Sequence, residues 1–488
     1  MNTILSFNAI SIIGVWMHEE LADFSVKYAL KKGAEYAEAR LEHSNSMGFA
    51  LKNGIPQISG FEKTHGIGIR IIANGAMQFL STNELVREKI IKLIDYGIRT
   101  ARASRRLLAP IELADAKAER RNYEVKEKVK SGNVDSKEKL DVLMDAERKL
   151  KENKLNVPSR YFTIFDEQVE KYFVNSDGSK ISSKIPYVGF SFIITAKEKN
   201  ETKQRHFTNV AAGGWEKILE WDFSDKVFNE AKVLIENMRL GKAPPKGEVD
   251  LIAAPEITGI AMHESVGHPY EADRILGREA AQAGESFMTP EMIGRRIGNE
   301  IINVVDDPTV DGSAGFYLYD DEGVKARRKY LIKSGVINEL LHNRETAASL
   351  KAESNASARA MDFAYEPIIR MSNTFMLPGD FSDEELIGSV KLGVYMKSFM
   401  EWNIDDKRVN ERYVGSEAYL IENGEIREPV KKPVLETTTF DFFASIDAIS
   451  KKVEFSSGSC GKGEPMQGVP VWMGGPSVRL RKIRLGRA

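Results

Sequence analysis

The run Gly241-Lys242-Ala243-Pro244-Pro245-Lys246-Gly247 divides this chain. Neither proline can donate a backbone hydrogen bond, and the flanking glycines favour turns, so no helix or central strand passes through it. A chain of 488 residues is too long for one hydrophobic core and needs such breaks. The expected class is α+β in three parts. A small N-terminal α+β domain covers 18–112, a middle domain of charged helices and antiparallel sheet covers 113–240, and a β-rich domain covers 245–488.

Local patterns support each part. In the first, a helix is expected from Glu19 to Lys32, and alternating residues from Gly66 to Ile72 lead into Asn74-Gly75, the strongest short hairpin signal. A second helix, Leu85 to Arg105, returns its apolar stripe over that sheet. In the second part, Lys117 to Lys154 reads as helical charge with solvated faces. Strands are expected at Tyr161 to Phe165, Glu170 to Asn175, Tyr187 to Thr195 and Gln204 to Asn209. In the third, Glu248 to Ala253 reads as a buried strand leading through Pro255 into a helix. The strands beyond suggest a large mixed sheet or distorted barrel that holds this helix against a Cys460 loop.

That helix carries the chemistry. His263-Glu264-Ser265-Val266-Gly267-His268 brackets a carboxylate with two imidazoles, in a chain with only seven histidines. The familiar zinc-protease pattern spaces its histidines by four, on one helix face. Here they are five apart, which leaves the rings about 140° apart on an ideal α-helix. A π-bulge, with hydrogen bonds from i to i+5, brings them nearly into line, and such bulges favour functional sites. Pro269 biases His268 out of α geometry, so the helix is expected to end there. Glu264 would then lie beside a metal, placed to accept a proton from water. The bland alternative is chance spacing on an amphipathic helix whose core face is Ile257, Ile260 and Ala261. Cys460, the single cysteine, sits in the run Ser457-Gly458-Ser459-Cys460-Gly461-Lys462-Gly463. Thiolate and imidazoles together are a common zinc set, which points to a zinc-dependent hydrolase.

Met262 to Pro269 resembles the signature of the TldD/PmbA family of metalloproteases. Asp320-Asp321-Glu322-Gly323-Val324, Leu341 to Ala347, Arg370-Met371-Ser372-Asn373-Thr374 and Cys460-Gly461-Lys462 are similar to that family as well. The likeness is densest after about residue 245 and is closer to the TldD branch, because the PmbA (TldE) branch lacks the metal-binding residues. The resemblance implies a zinc peptidase with Zn2+ held by His263, His268 and Cys460 and with Glu264 as catalytic base. It implies cleavage of unfolded or flexible peptides by water activated at the metal, and a homodimer or a heterodimer with a PmbA/TldE-like subunit. Its alternative is a non-catalytic regulatory or chaperone-like peptide-binding protein. One stretch departs from the family: Ser398 to Asp405 stands where many relatives are glycine-rich.

Composition excludes other classes. A net charge of −2 gives no positive field for nucleic acid. Met1 to Met17 is apolar, but it lacks a basic leader and is too short to span a bilayer comfortably, so no membrane role is expected. Met17 is a second candidate start. The single cysteine suits a reducing cytoplasm. Asp307 to Gly312 is set aside as a calcium loop because position 12 would be Leu318. Gly461-Lys462 lacks the remainder of a phosphate loop. Asp320 to Glu322 is expected as a solvated turn, and Arg344 as a possible anchor for a peptide carboxylate or carbonyl.

Overall fold

A computed structural model describes residues 10–57, 60–105, 109–279 and 284–487. The expected mixed α+β class is what the chain adopts. Its first half is organised by one eight-stranded sheet. In order, this sheet runs Ala76–Thr82, Gly60–Ala73, Tyr36–Lys52, Ser159–Asn175, Lys180–Glu198 and Arg120–Glu124. Glu201–Ala212 also pairs with Lys180–Glu198, and on its other side Ala211 bridges Ser313. Asn74 and Gly75 both take positive φ, 55° and 72°, which closes the expected hairpin with the twist that flanking strands prefer.

The long strands separate two hydrophobic cores. Helices Ile10–Lys31 and Arg87–Ser104 pack Ala22, Val26, Ile90, Ile94 and Ile98 against Ile67, Ile69 and Ile71. Helices Ser136–Glu152 and Phe223–Leu240 pack Leu143, Leu150, Phe223 and Leu234 against Phe162, Phe190 and Phe192. The first expected helix thus extends further toward the N-terminus than read, over Ile10–Lys31; residues 1–9 lie outside the described residues.

Two readings of the middle segment change. Arg120–Glu124 is a strand, parallel to Lys180–Glu198, although its charge pattern suggested helix. Tyr161 to Asn175 is one continuous strand, because its polar centre is paired on both sides.

Beyond the linker, strand Glu248–Ala253 lies in the middle of a nine-stranded sheet, parallel to Leu392–Met396 and antiparallel to Val478–Arg487. A six-stranded sheet ends on the hairpin Gln467–Gly475 and Glu454–Lys462. Helix Pro255–Met262 packs against that hairpin. Gly259 allows the contact, since a Cβ there would meet the Gly474 backbone nitrogen at 2.9 Å. Cys460 therefore sits on a paired strand opposite Val469, and not on the expected loop. The glycines around it serve close packing between strands and helix.

Candidate metal centre

Strand Glu248–Ala253 delivers Pro255 to the first turn of helix Pro255–Met262, where its missing N–H costs nothing. The helix then widens into a π segment, His263–Gly267. Its diagnostic bond is the His268 N–H donating to the His263 carbonyl at 3.1 Å. The extra residue per turn brings the two rings together, centroids 4.9 Å apart and nearly perpendicular. Gly267 is required at this turn: a Cβ would meet Met371 Sδ at 1.8 Å. Glu411 ties the segment down, accepting from Ser265 Oγ, from Tyr413 at 2.5 Å and from Thr439 at 2.7 Å.

Cys460 reaches the same point from the hairpin, with Sγ 3.5 Å from His268 Nε2. One ligating atom from each of His263, His268 and Cys460 lies within 4.8 Å of the others, and all three residues are buried. Burial opposes ionisation of the thiol, yet His268, Arg370 and His263 hold Cys460 well below its ordinary range. His263 Nδ1 is buried with no hydrogen-bond partner among the described residues. Buried polar atoms are rarely left unpaired, so an electron-pair acceptor between the three side chains accounts for this convergence. The donor set, one soft thiolate and two imidazoles, fits zinc and leaves a tetrahedral position open.

Behind His268, Glu271 Oε2 lies 3.1 Å from His268 Nδ1, 2.7 Å from Arg274 Nε and 3.2 Å from Lys462 Nζ. Burial would raise this carboxyl, but Lys462, His268 and Arg274 hold it well below the usual carboxylate range. The carboxylate fixes the imidazole so that Nε2 faces Cys460. Glu271 was not singled out from sequence, and Lys462 was weighed only in the Cys460-Gly461-Lys462 likeness and as a phosphate-loop residue. A signal existed for Glu271, which stands three residues after His268.

Glu264 lines the same cleft and is 3 % exposed. Its Oε2 accepts from Arg408 Nη1. Arg408 sits at positive φ, 65°, in the turn between strands Phe399–Ile404 and Asn410–Gly415. No sequence signal pointed to it. The Ser398 to Asp405 stretch, which departs from the family pattern, forms the strand leading to this turn and places Phe399, Met400 and Trp402 on the cleft wall. The cleft has a volume of about 760 Å³ and is bordered by the edge strands Phe399–Ile404 and Glu454–Lys462 and by residues 204–208 of strand Glu201–Ala212, whose far end is closed where Val210 N–H donates to Ser457 Oγ at 2.9 Å and Ala211 bridges Ser313.

Other candidates fall elsewhere. Asp320 and Glu322 are buried, not solvated: Glu322 Oε1 lies 2.7 Å from Arg70 Nη2, and its other oxygen accepts from the Arg344 N–H at 2.7 Å. The Arg344 guanidinium donates to Tyr36 Oη at 3.0 Å and to the Ala114 carbonyl at 2.9 Å, which makes it a structural brace. His342 is buried against Thr346, 3.2 Å away, and burial pushes it down to about 4.

Known metallopeptidases match the chain along most of its length. Residues 246–487 match the PmbA/TldA metallopeptidase C-terminal domain, 130–238 the central domain and 37–103 domain 1. The chain is 34% identical over 452 residues to a metalloprotease of Methanocaldococcus jannaschii, covering 91% of this chain and 96% of that protein. It is 27% identical over 464 residues to a zinc metalloprotease TldD homolog of Saccharolobus solfataricus, covering 94% and 98%. The crystal structure of TldE from Thermococcus kodakarensis shares the fold, with a TM-score of 0.73 at 17% identity over 96% of this chain and 99% of that one. With these matches spanning nearly its whole length, the chain belongs to the TldD/PmbA family of metallopeptidases.

Proposed function

We propose that this chain is a zinc-dependent peptidase acting on unfolded or flexible peptides. The observation that carries the reading is the meeting of His263, His268 and Cys460 within 4.8 Å, with Glu264 in the same cleft. Zinc bound there supplies Lewis acidity, which polarises a peptide carbonyl and makes water a stronger acid near neutral pH. His263, His268 and Cys460 are the ligands, and Glu271 orients His268 from behind. The Glu264 carboxylate takes the proton from attacking water and passes it to the leaving amine nitrogen. Arg408 fixes that carboxylate in place. The edge strands Phe399–Ile404 and Glu454–Lys462 and the unpaired stretch 204–208 offer backbone donors and acceptors to an extended peptide, a mode of binding that tolerates varied side chains. Folded proteins cannot present such a strand, so flexible segments are the substrate class.

A non-catalytic peptide binder has no need of a carboxylate beside a thiolate and two imidazoles, so the hydrolytic reading is preferred. No helix among the described residues is long and apolar enough to cross a membrane. The lone buried thiol suits a cytoplasmic setting. A homodimer, or a heterodimer with a PmbA/TldE-like subunit, would wall the cleft off from folded proteins.

The experiment is metal analysis together with peptide cleavage. Purified protein should carry about one zinc per chain, and alanine at His263, His268 or Cys460 should remove most of it. Glu264→Gln should keep the zinc and bind peptide nearly unchanged while cleavage falls by about two to four orders of magnitude. Full cleavage by zinc-loaded Glu264→Gln would show that the carboxylate is not the base.

A further inference from the structure

A second cavity, of about 390 Å³, opens beside the metal cleft between the first sheet and the C-terminal half. Its walls are aromatic: Tyr123, Phe165, Phe173 and Tyr187 from one side, Phe316 and Tyr317 from the other. Most of the charged groups in its lining are engaged within the protein: Arg359 donates to the Met371 and Pro470 carbonyls at 2.7 and 2.9 Å, Glu167 accepts from Ser44 at 2.5 Å, and Asp320 accepts from the Glu322, Val324 and Ala358 N–H groups. Lys171 Nζ lies 3.2 Å from Asp321 and 3.6 Å from Glu42, and Arg40 lies 3.9 Å from Glu42. The aromatic walls reward burial of a flat apolar group.

Position decides what that group belongs to. Thr208, Gly458 and Ser459 border both this cavity and the metal cleft, whereas Cys460 borders the cleft alone. Gly458 and Cys460 are two residues apart on one strand, which is about 7 Å at the usual strand rise. A peptide extended along the 458–461 stretch of this edge, beyond the contact of Ser457 with Val210, carries its neighbouring side chains past the mouth when its scissile bond lies at the metal. Because strand side chains alternate, only one in two can enter.

We infer that this cavity is a specificity subsite that takes an aromatic side chain of the peptide substrate, one to three residues from the scissile bond. The inference rests on the peptidase reading for its substrate, though not for its binding step. The residues that would set the preference are Phe165 and Tyr187 from the sheet and Phe316 from the C-terminal half.

The test scans a single Phe through a Gly/Ala/Ser decapeptide and measures cleavage by the zinc-loaded full chain. At one fixed register, Phe should exceed Ala in kcat/KM by about tenfold to a hundredfold, the value of burying one aromatic side chain, and Lys should do no better than Ala. Val169→Trp and Ser183→Phe fill the cavity from two different strands. Either variant, once shown folded by its Tm and zinc content, should bring the Phe/Ala ratio toward one. The same peptides are also titrated, fluorescently labelled, into zinc-loaded Glu264→Gln protein by anisotropy. If the parent cuts none of them but the Phe over Ala difference in Kd persists and falls in the filled variants, the subsite stands and the peptidase reading fails. If no register prefers Phe in cleavage or binding, or the preference survives both variants, the subsite assignment is wrong.

Discussion

Replacing Glu271 by Gln tests whether the buried charges behind His268 serve the metal. The substitution keeps volume and removes one charge from a fully buried side chain. Glu271 Oε2 has three neighbouring donors: His268 Nδ1 at 3.1 Å, Arg274 Nε at 2.7 Å and Lys462 Nζ at 3.2 Å. A hydrogen bond to a charged partner is worth about 1.5–3 kcal/mol and a neutral one about 0.5–1.5, so the imidazole loses about 1–2 kcal/mol of orientation. Loss of an outer-shell partner ordinarily costs 10- to 100-fold in metal affinity, about 1.4–2.7 kcal/mol, and the two routes agree. Zinc Kd should therefore rise by about tenfold or more, read by competition with a chromophoric chelator at constant pH. Asp273→Asn serves as the control, because Asp273 holds Lys462 at 2.7 Å without touching His268. Its zinc affinity should change far less. A Glu271→Gln protein that binds zinc within twofold of the parent would refute the orienting role.

Arg408→Met strands the Glu264 carboxylate and should cost about 3–5 kcal/mol in urea unfolding. Adding Glu264→Gln should recover most of that loss; single effects that simply add would show the pair uncoupled. Gly267→Ala drives a methyl into Met371 Sδ and should destabilise by about 1–3 kcal/mol with loss of zinc. Met371→Ala in the same chain should restore both, and failure to do so would locate the strain elsewhere. Burial pushes Glu366 up to about 7 despite Arg70, with Glu345, Glu38 and Glu322 adding to the rise. A raised carboxyl means the fold holds a proton that the unfolded chain releases, so stability falls as pH climbs from about 4.5 toward 7. Glu366→Gln escapes this loss, so it should match the parent near pH 4 and exceed it by on the order of 2 kcal/mol at pH 8, after allowance for partial exposure. Parallel urea curves at every pH would contradict it.

What sequence could reveal was set by how local the cause is. The His263–Gly267 π turn matches the reading from a five-residue spacing, although His268 keeps helical angles of −62° and −46° where Pro269 was expected to bias it out of them, and the Asn74-Gly75 hairpin follows from two residues that tolerate positive φ. Such features need no partner. Pairing of Tyr36–Lys52 with Ser159–Asn175 joins segments more than a hundred residues apart, and nothing in either strand names the other. The burial of Asp320 and Glu322 was misread for the same reason. Three acidic residues in a row read as a solvated turn, but Arg70, contributed from the first sheet, supplies the charge that Glu322 needs to be buried. Arg408 reaches Glu264 across a similar distance in sequence, and its role became visible only in the fold. Cys460 was joined to the histidines through family likeness, since spacing alone could not do it.

The hairpin that carries Cys460 shows why one strand must be held so firmly. Side chains alternate, so Cys460 and Lys462 both point inward: the first toward the histidines, the second to Asp273 at 2.7 Å and the Ile369 carbonyl at 2.9 Å. A slip of one residue would turn both away and present Gly461 to the site. The register cannot depend on the glycines, which pack too little to specify it. Arg370, fully buried, spans the two strands instead, donating to the Cys460 carbonyl from one nitrogen and to the Gln467 carbonyl at 3.0 Å from the other. Arg359 adds a bond to the Pro470 carbonyl at 2.9 Å. Two arginines bound to backbone carbonyls thus fix which atoms of this strand face His268, and the pairing of thiolate with imidazole depends on them as much as on the ligands themselves.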